Sequence, residues 1–280
     1  MRTLQAHIVR EMGVAPRIDP AQEVEDRVLF LADYARAAGA RSLVLGISGG
    51  VDSTLAGRLG QMAAAHLRAD GYDIEFVALR LPHGVQGDED DTRAALAFIG
   101  PDRTHEIDIA PGVTGFDDAY AEGVGERLPD FHRGNVKARM RMLAHYAVAG
   151  DSRGLVIGTD QAAESTVGYF TKFGDGGADI LPLYTLDKRQ VREILQHLEA
   201  SERLWAKQAT ADLLDDRPAL SDEDELGVRY DDLDDYLEGR EVPDAVAERI
   251  EELYLRSRHK RRGPVTIRDT WWREASHGGP

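Results

Sequence analysis

Residues 46 to 54 read GISGGVDST, a stretch whose residue types can hold an anion without a basic side chain. Gly46, Gly49 and Gly50 leave backbone N–H groups unshielded and allow close approach. Ser48, Ser53 and Thr54 add hydroxyl donors. An apolar run, 42–48, precedes them, and a helical pattern from about Asp52 to His66 follows. The donors therefore stand at the carboxyl end of a strand and open a helix, where free N–H groups and the helix dipole together favour phosphate. Neither GxxxxGKS/T nor GxGxxG is present, which sets this loop apart from two common nucleotide-binding motifs. A tight strand-to-helix turn capped by Ser48 or Asp52 would use the same residues. Nine positions alone leave both readings open.

The elements that must position this loop are legible on both sides of it. Asp19-Pro20 opens a helix whose Val24, Val28, Leu31, Ala32 and Ala35 recur at helical spacing. Strand-like apolar runs occupy 42–48, 73–81, 104–109 and 154–160. Helical patterns fall between them: 88–100, which begins with acids, and 135–150, with Val136, Met140, Leu143, Ala144 and Ala147 on one stripe. Asp187 and Gln190 form a capping-box pattern at the start of another helix. Strands alternating with helices predict a doubly wound α/β fold, a mainly parallel sheet with helices on both faces. The region 231–262 reads as two helices ending in the basic run RHKRR. We expect a single domain over 1–280, with its core at about 19–262 and a tail at 263–280.

Composition bounds the chemistry. The chain has 280 residues, enough for one large α/β domain or two small ones, and no cysteine. Disulfides, zinc–thiolate centres and cysteine nucleophiles are excluded. The formal net charge is −16, which speaks against general nucleic-acid binding. Small anions are still accommodated, because local cations act within a screening length of about 8 Å. No apolar run approaches the roughly 20 residues of a membrane span. The N-terminus lacks an uninterrupted apolar core, so a cytoplasmic protein without membrane attachment is expected.

SGGVDS, residues 48–53, resembles the SGGxDS loop of ATP pyrophosphatases, which cleave ATP to AMP and pyrophosphate. Four further blocks narrow the resemblance: LPHGVQGDEDD (81–91), GNVKARMRM (134–142), GTDQAAESTVGYFTKFGDGGADILPLYTLDKRQ (158–190) and TADLLDDRPALSDEDELG (210–227). With RHKRR they are similar to the ammonia-dependent NAD synthetases, over nearly the whole chain from about Asp19. Val51 departs from the glutamine of many members, at the variable position of the loop. GMP synthetases share the loop but not these blocks. A non-catalytic nucleotide sensor is a further alternative, against which the retained metal-ligand and lysine positions argue.

The resemblance implies an adenine nucleotide α-hydrolase-like fold and a ligase that amidates nicotinic acid adenine dinucleotide (deamido-NAD) with ammonia. It implies ATP contacts at Gly46, Ile47, Ser48, Gly49, Gly50, Val51, Asp52, Ser53, Thr159, Lys188 and Thr210. Mg²⁺ would be held by Asp52 and Glu164. Arg139, Lys172, Asp179, His259 and Lys260 would meet deamido-NAD, and a homodimer is implied. Asp175, between the glycines of GDGGAD, is our candidate for taking a proton from ammonium, although a turn-capping Asp fits the same stretch. Without the resemblance, Lys188 reads as a surface lysine, Glu164 as a solvated helix residue and His259-Lys260 as a basic helix end. Two irregular segments, 82–88 and about 207–224, are expected to close over bound nucleotides as a lid. Trp271 and Trp272 are expected to anchor the tail by packing.

Overall fold

The computed structural model describes residues 1–84, 89–208 and 221–273. Its strands are β1 (Ser42–Gly46), β2 (Glu75–Arg80), β3 (Arg103–Glu106) and β4 (Gly154–Val156). The helices are α1 (Thr3–Met12), α2 (Pro20–Ala37), α3 (Val51–Ala69), α4 (Glu89–Ile99), α5 (Ala110–Val124) and α6 (Asp130–Ser152). After β4 follow α7 (Ala162–Val167), α8 (Lys188–His197), α9 (Glu202–Trp205), α10 (Asp222–Leu226), α11 (Tyr230–Leu237) and α12 (Asp244–Arg256). A 3₁₀ turn, Arg258–Arg261, carries the basic run.

The four strands form a parallel sheet in the order β3-β2-β1-β4. Ser42 lies opposite Glu75 on one side and Gly154 on the other, so β1 is central. Its run SLVLG is apolar because helices cover both faces. Leu43, Leu45, Phe76 and Ala78 point to one face and pack with Leu31, Leu55, Leu59 and Ile194 of α2, α3 and α8. Val44, Val77, Leu79 and Val156 point to the other and meet Val113 of α5 and Ala149 of α6. A third cluster joins Ile8, Met12, Val167, Tyr236 and Ile250, fastening α1, α11 and α12 to α7. The expected α/β architecture is the observed one, as are the Asp19 cap of α2 and the Asp187–Gln190 capping box of α8.

Some expectations shift. The third strand is shorter than 104–109 and wholly exposed, an edge strand of four residues. On α6 the sheet takes the i, i+4 row Val136, Met140, Ala144 and Val148. Leu143 falls on the flank turned outward and is exposed, whereas Lys137 is buried. Trp271 does dock the tail: the Arg258 guanidinium lies 5.3 Å from its ring centroid. Most of the two segments expected to form a lid lies outside the described residues.

Candidate active site

A cleft of about 300 Å³ opens at the carboxyl ends of β1, β2 and β4. Its floor is the glycine-rich loop between β1 and α3. Gly49 has φ +79°, and a Cβ there would stand 2.6 Å from the Thr92 backbone nitrogen. The loop therefore runs directly beneath the first turn of α4, and the Thr92 hydroxyl donates to the Ser48 carbonyl at 3.1 Å. The hydroxyls of Ser53 and Thr54 donate to the Gly50 carbonyl at 3.2 and 2.7 Å, which sets the turn. Gly50 is the N-cap of α3 and supplies no side chain to its first N–H groups. Capping by Ser48 or Asp52 is thus not what this loop does. Ser48, Gly50, Val51 and Ser53 line the cleft, and the Gly50 N–H donates to Ser48 Oγ at 3.3 Å.

Asp52 points elsewhere. Its Oδ2 accepts from Lys188 Nζ at 2.6 Å, and Glu164 Oε1 accepts from the same ammonium at 3.1 Å. Lys188 is 1% exposed, the opposite of a plain surface lysine. The start of α8 holds it there. Asp187 caps the helix, and the Asp234 carboxylate accepts the N–H groups of Lys188 and Arg189 at 3.1 and 2.9 Å. The Tyr230 ring centroid lies 4.9 Å from the ammonium. Burial disfavours the lysine charge, but Asp52 and Glu164 outweigh it and hold the Lys188 pKa above its ordinary value. Burial pushes Glu164 above the usual carboxylate range against the pull of Lys188. Asp160 is raised to about 7 by burial, then by Asp175 and Asp52. Acids thus outnumber cations at this end of the cleft.

Asp175 also lines the cleft. It is solvent-exposed, and desolvation by the neighbouring protein raises its pKa. The Thr171 N–H donates to its Oδ1 at 2.9 Å, and Lys260 opposes the rise. A basic rim lies beyond. Arg139 donates to the Lys172 carbonyl at 3.3 Å, and Lys172 Nζ donates to the His259 carbonyl at 2.6 Å. Lys260 Nζ donates to the carbonyls of Gly168 and Phe170 at 2.8 and 2.7 Å. Four of the five expected substrate contacts therefore meet in space. Asp179 stands apart: it accepts the Val156 N–H at 2.8 Å and the Tyr146 hydroxyl at 3.1 Å. Thr159 lines the cleft with the loop. Thr210 lies outside the described residues.

The family model described as NAD synthase matches residues 23–264. The chain belongs to the NAD synthase family. It is 56% identical over 272 residues to the NH(3)-dependent NAD(+) synthetase of Bacillus pumilus, covering 97% of this chain and 100% of that one. The crystal structure of NAD+ synthetase from Burkholderia pseudomallei superposes with a TM-score of 0.80 at 49% identity, over 92% of this chain and 95% of that one. The structure of NMN synthetase from Francisella tularensis gives 0.78 at 34% identity, over 90% and 100%.

The donor set of this NAD synthase fits a magnesium ion. Asp52 Oδ1 is buried with no hydrogen-bond partner, and Glu164 shares the lysine that engages Oδ2. No group of three or more His, Asp or Glu among the described residues is arranged to hold a metal alone. Magnesium asks for no such cage, since one or two carboxylates and substrate phosphates are its usual ligands. Sequence reasoning missed several residues of the lining: His145, Tyr169, Lys207 and Asp222. His145 sits against Gly46, and burial, then Arg141, lowers its pKa to about 4, so the imidazole is neutral. Helical period placed His145 on α6 but carried no sign of which neighbours would surround it.

Proposed function

We propose that this protein amidates deamido-NAD with ammonia, consuming ATP and releasing AMP and pyrophosphate through an acyl-adenylate. The observation that carries the reading is the uncapped first turn of α3 beside the buried Asp52–Lys188–Glu164 group in one cleft. A pyridine carboxylate oxygen attacks the α-phosphorus, and the bond to pyrophosphate breaks. Ammonia then attacks the acyl carbon, the bond to the AMP oxygen breaks, and the amide forms. The loop amides and Lys188 bind and orient the phosphates, which is where preorganised donors contribute most. A bound Mg²⁺ on Asp52 and Glu164 would neutralise phosphate charge. Arg139, Lys172, His259 and Lys260 supply the cationic rim for the phosphates of deamido-NAD.

Ammonia must lose a proton, and Asp175 is the carboxylate we assign to accept it. Its raised pKa makes it a better base than an ordinary aspartate. Asp175→Asn lowers amide formation roughly a hundredfold while adenylation persists, read as pyrophosphate release outrunning NAD formation. Equal loss of both products assigns Asp175 to the first step instead.

The cleft draws on residues from Leu45 to Asp222, which supports a single domain, and the proposed nucleotide substrates place the enzyme in the cytoplasm in this reading. No helix among the described residues is long and apolar enough to cross a membrane. Exposed Phe116 and Val124 of α5, with Phe131, Leu143 and Tyr146 of α6, support a homodimer through this face. Sedimentation showing a monomer at assay concentration removes that part of the reading.

The deciding experiment gives the purified protein ATP, Mg²⁺, ammonium and either deamido-NAD, its mononucleotide counterpart or xanthosine monophosphate. NAD, AMP and pyrophosphate are expected in equal amounts with deamido-NAD. Preference for another acceptor overturns the assignment. With no cysteine to act as an amidase nucleophile, glutamine free of ammonium should give negligible turnover. Efficient use of glutamine contradicts this.

A further inference from the structure

Lys207 lines the same cleft as Ser48, Gly50 and Ser53. Its Nζ lies 2.9 Å from Asp91 Oδ2, and Arg203 Nε lies 2.6 Å from Oδ1 of the same carboxylate. Asp91 thus carries two cations, one on each oxygen. Burial raises its pKa, but Lys207 and Arg203 outweigh that and keep it below the usual range, so it is an anion. Its place is fixed from below: the backbone of Asp91 and Thr92 rests on Gly49, and Thr92 bonds the Ser48 carbonyl. The ion pair therefore stations Lys207 beside the loop amides.

The leaving pyrophosphate brings several negative charges to that loop. Lys188, the other ammonium in the lining, is already shared between two carboxylates, and Arg141 donates through Nε to the Leu81 carbonyl. Lys207 shares Asp91 with Arg203, so that carboxylate stays compensated when the lysine leaves it. Resting on the function proposed above, we propose that Lys207 is a further phosphate-binding residue, exchanging Asp91 for the β- and γ-phosphate oxygens when ATP binds. Asp91 is then a holding group that positions the lysine in the free enzyme, and Arg203 makes the exchange possible without stranding a charge.

The test compares two ways of breaking one ion pair, with ATP and inorganic pyrophosphate affinities read by calorimetry without the nicotinate substrate. Lys207→Ala weakens both ligands about tenfold, the loss expected for one charge-assisted hydrogen bond. Lys207→Gln, which keeps the stem packing, weakens both in the same direction. Asp91→Asn removes the same pair yet leaves both affinities within about twofold of wild type, as for a partly exposed pair. If Lys207 is only a strap between α9 and α4, the alanine and asparagine variants weaken ATP alike, and the proposal falls. Unchanged affinity in the Lys207 variants also overturns it, as does a loss for ATP without one for pyrophosphate. A wild-type protein that binds both ligands but makes no NAD counts against the proposed function alone.

Discussion

Asp52→Asn abolishes adenylation, by roughly a thousandfold in pyrophosphate release, while the protein keeps its fold. The substitution is isosteric, so packing around the start of α3 is retained. The amide oxygen can still accept from Lys188. What is lost is the negative charge and the buried, unpartnered Oδ1, the atom best placed to meet a magnesium ion. The stability cost is moderate, about 1–3 kcal/mol, because the buried Lys188 loses one of its two carboxylate charges and keeps Glu164. Pyrophosphate release across a magnesium titration, with thermal melting as a control, measures both quantities. Near-normal release at ordinary magnesium concentrations means that Asp52 serves the helix and not the reaction.

Lys188→Met has the largest expected effect on stability. It leaves Asp52 and Glu164 facing each other without their shared cation, and breaking a buried pair in this way costs about 3–5 kcal/mol. The sign of the pH dependence follows from Glu164. Its pKa in the folded protein is raised above the value of 4.5 that it has in an unfolded chain. Over that interval the folded state binds more protons, so stability falls as pH rises. Without Lys188 the rise is larger still. Denaturant unfolding in a chelator should therefore show the variant approaching wild type on acidification from pH 8 toward pH 5. A loss that does not change over this range, or one near zero, shows that Lys188 is not the compensating cation.

The parts of the fold that local chemistry controls were legible in the sequence. The Asp19-Pro20 start of α2, the capping box at Asp187 and the apolar run of β1 each depend on a few neighbouring residues. The glycine-rich turn from β1 into α3 was legible for the same reason. The meeting of Asp52, Glu164 and Lys188 was not. Those residues come from α3, α7 and α8, and only the resemblance to a family put them together before the structure did. Several helices went unread, α1 and α5 the longest of them. In α1 the apolar signal is little more than Ile8 and Met12 among polar neighbours, and its burial is supplied by α11 and α12 from the far end of the chain. In α5 only Val113 and Asp117 are buried, too few for a visible period. His145 and Lys207 show the same limit at the site: each gains its meaning from a partner distant in sequence, Gly46 for one and Asp91 for the other.

The two ends of the loop are bare for different reasons, and inheritance should treat them differently. At Gly46 the obstacle to a Cβ is the imidazole of His145, a side chain that a second mutation can shorten. At Gly49 the obstacles are the backbone atoms of Asp91 and Thr92, and its positive φ adds a penalty that no neighbour can remove. Positions 46 and 145 therefore form a compensable pair, able to drift together as a lineage diverges. Position 49 has nothing to trade, and a lineage that loses its glycine there must move a whole helix to recover.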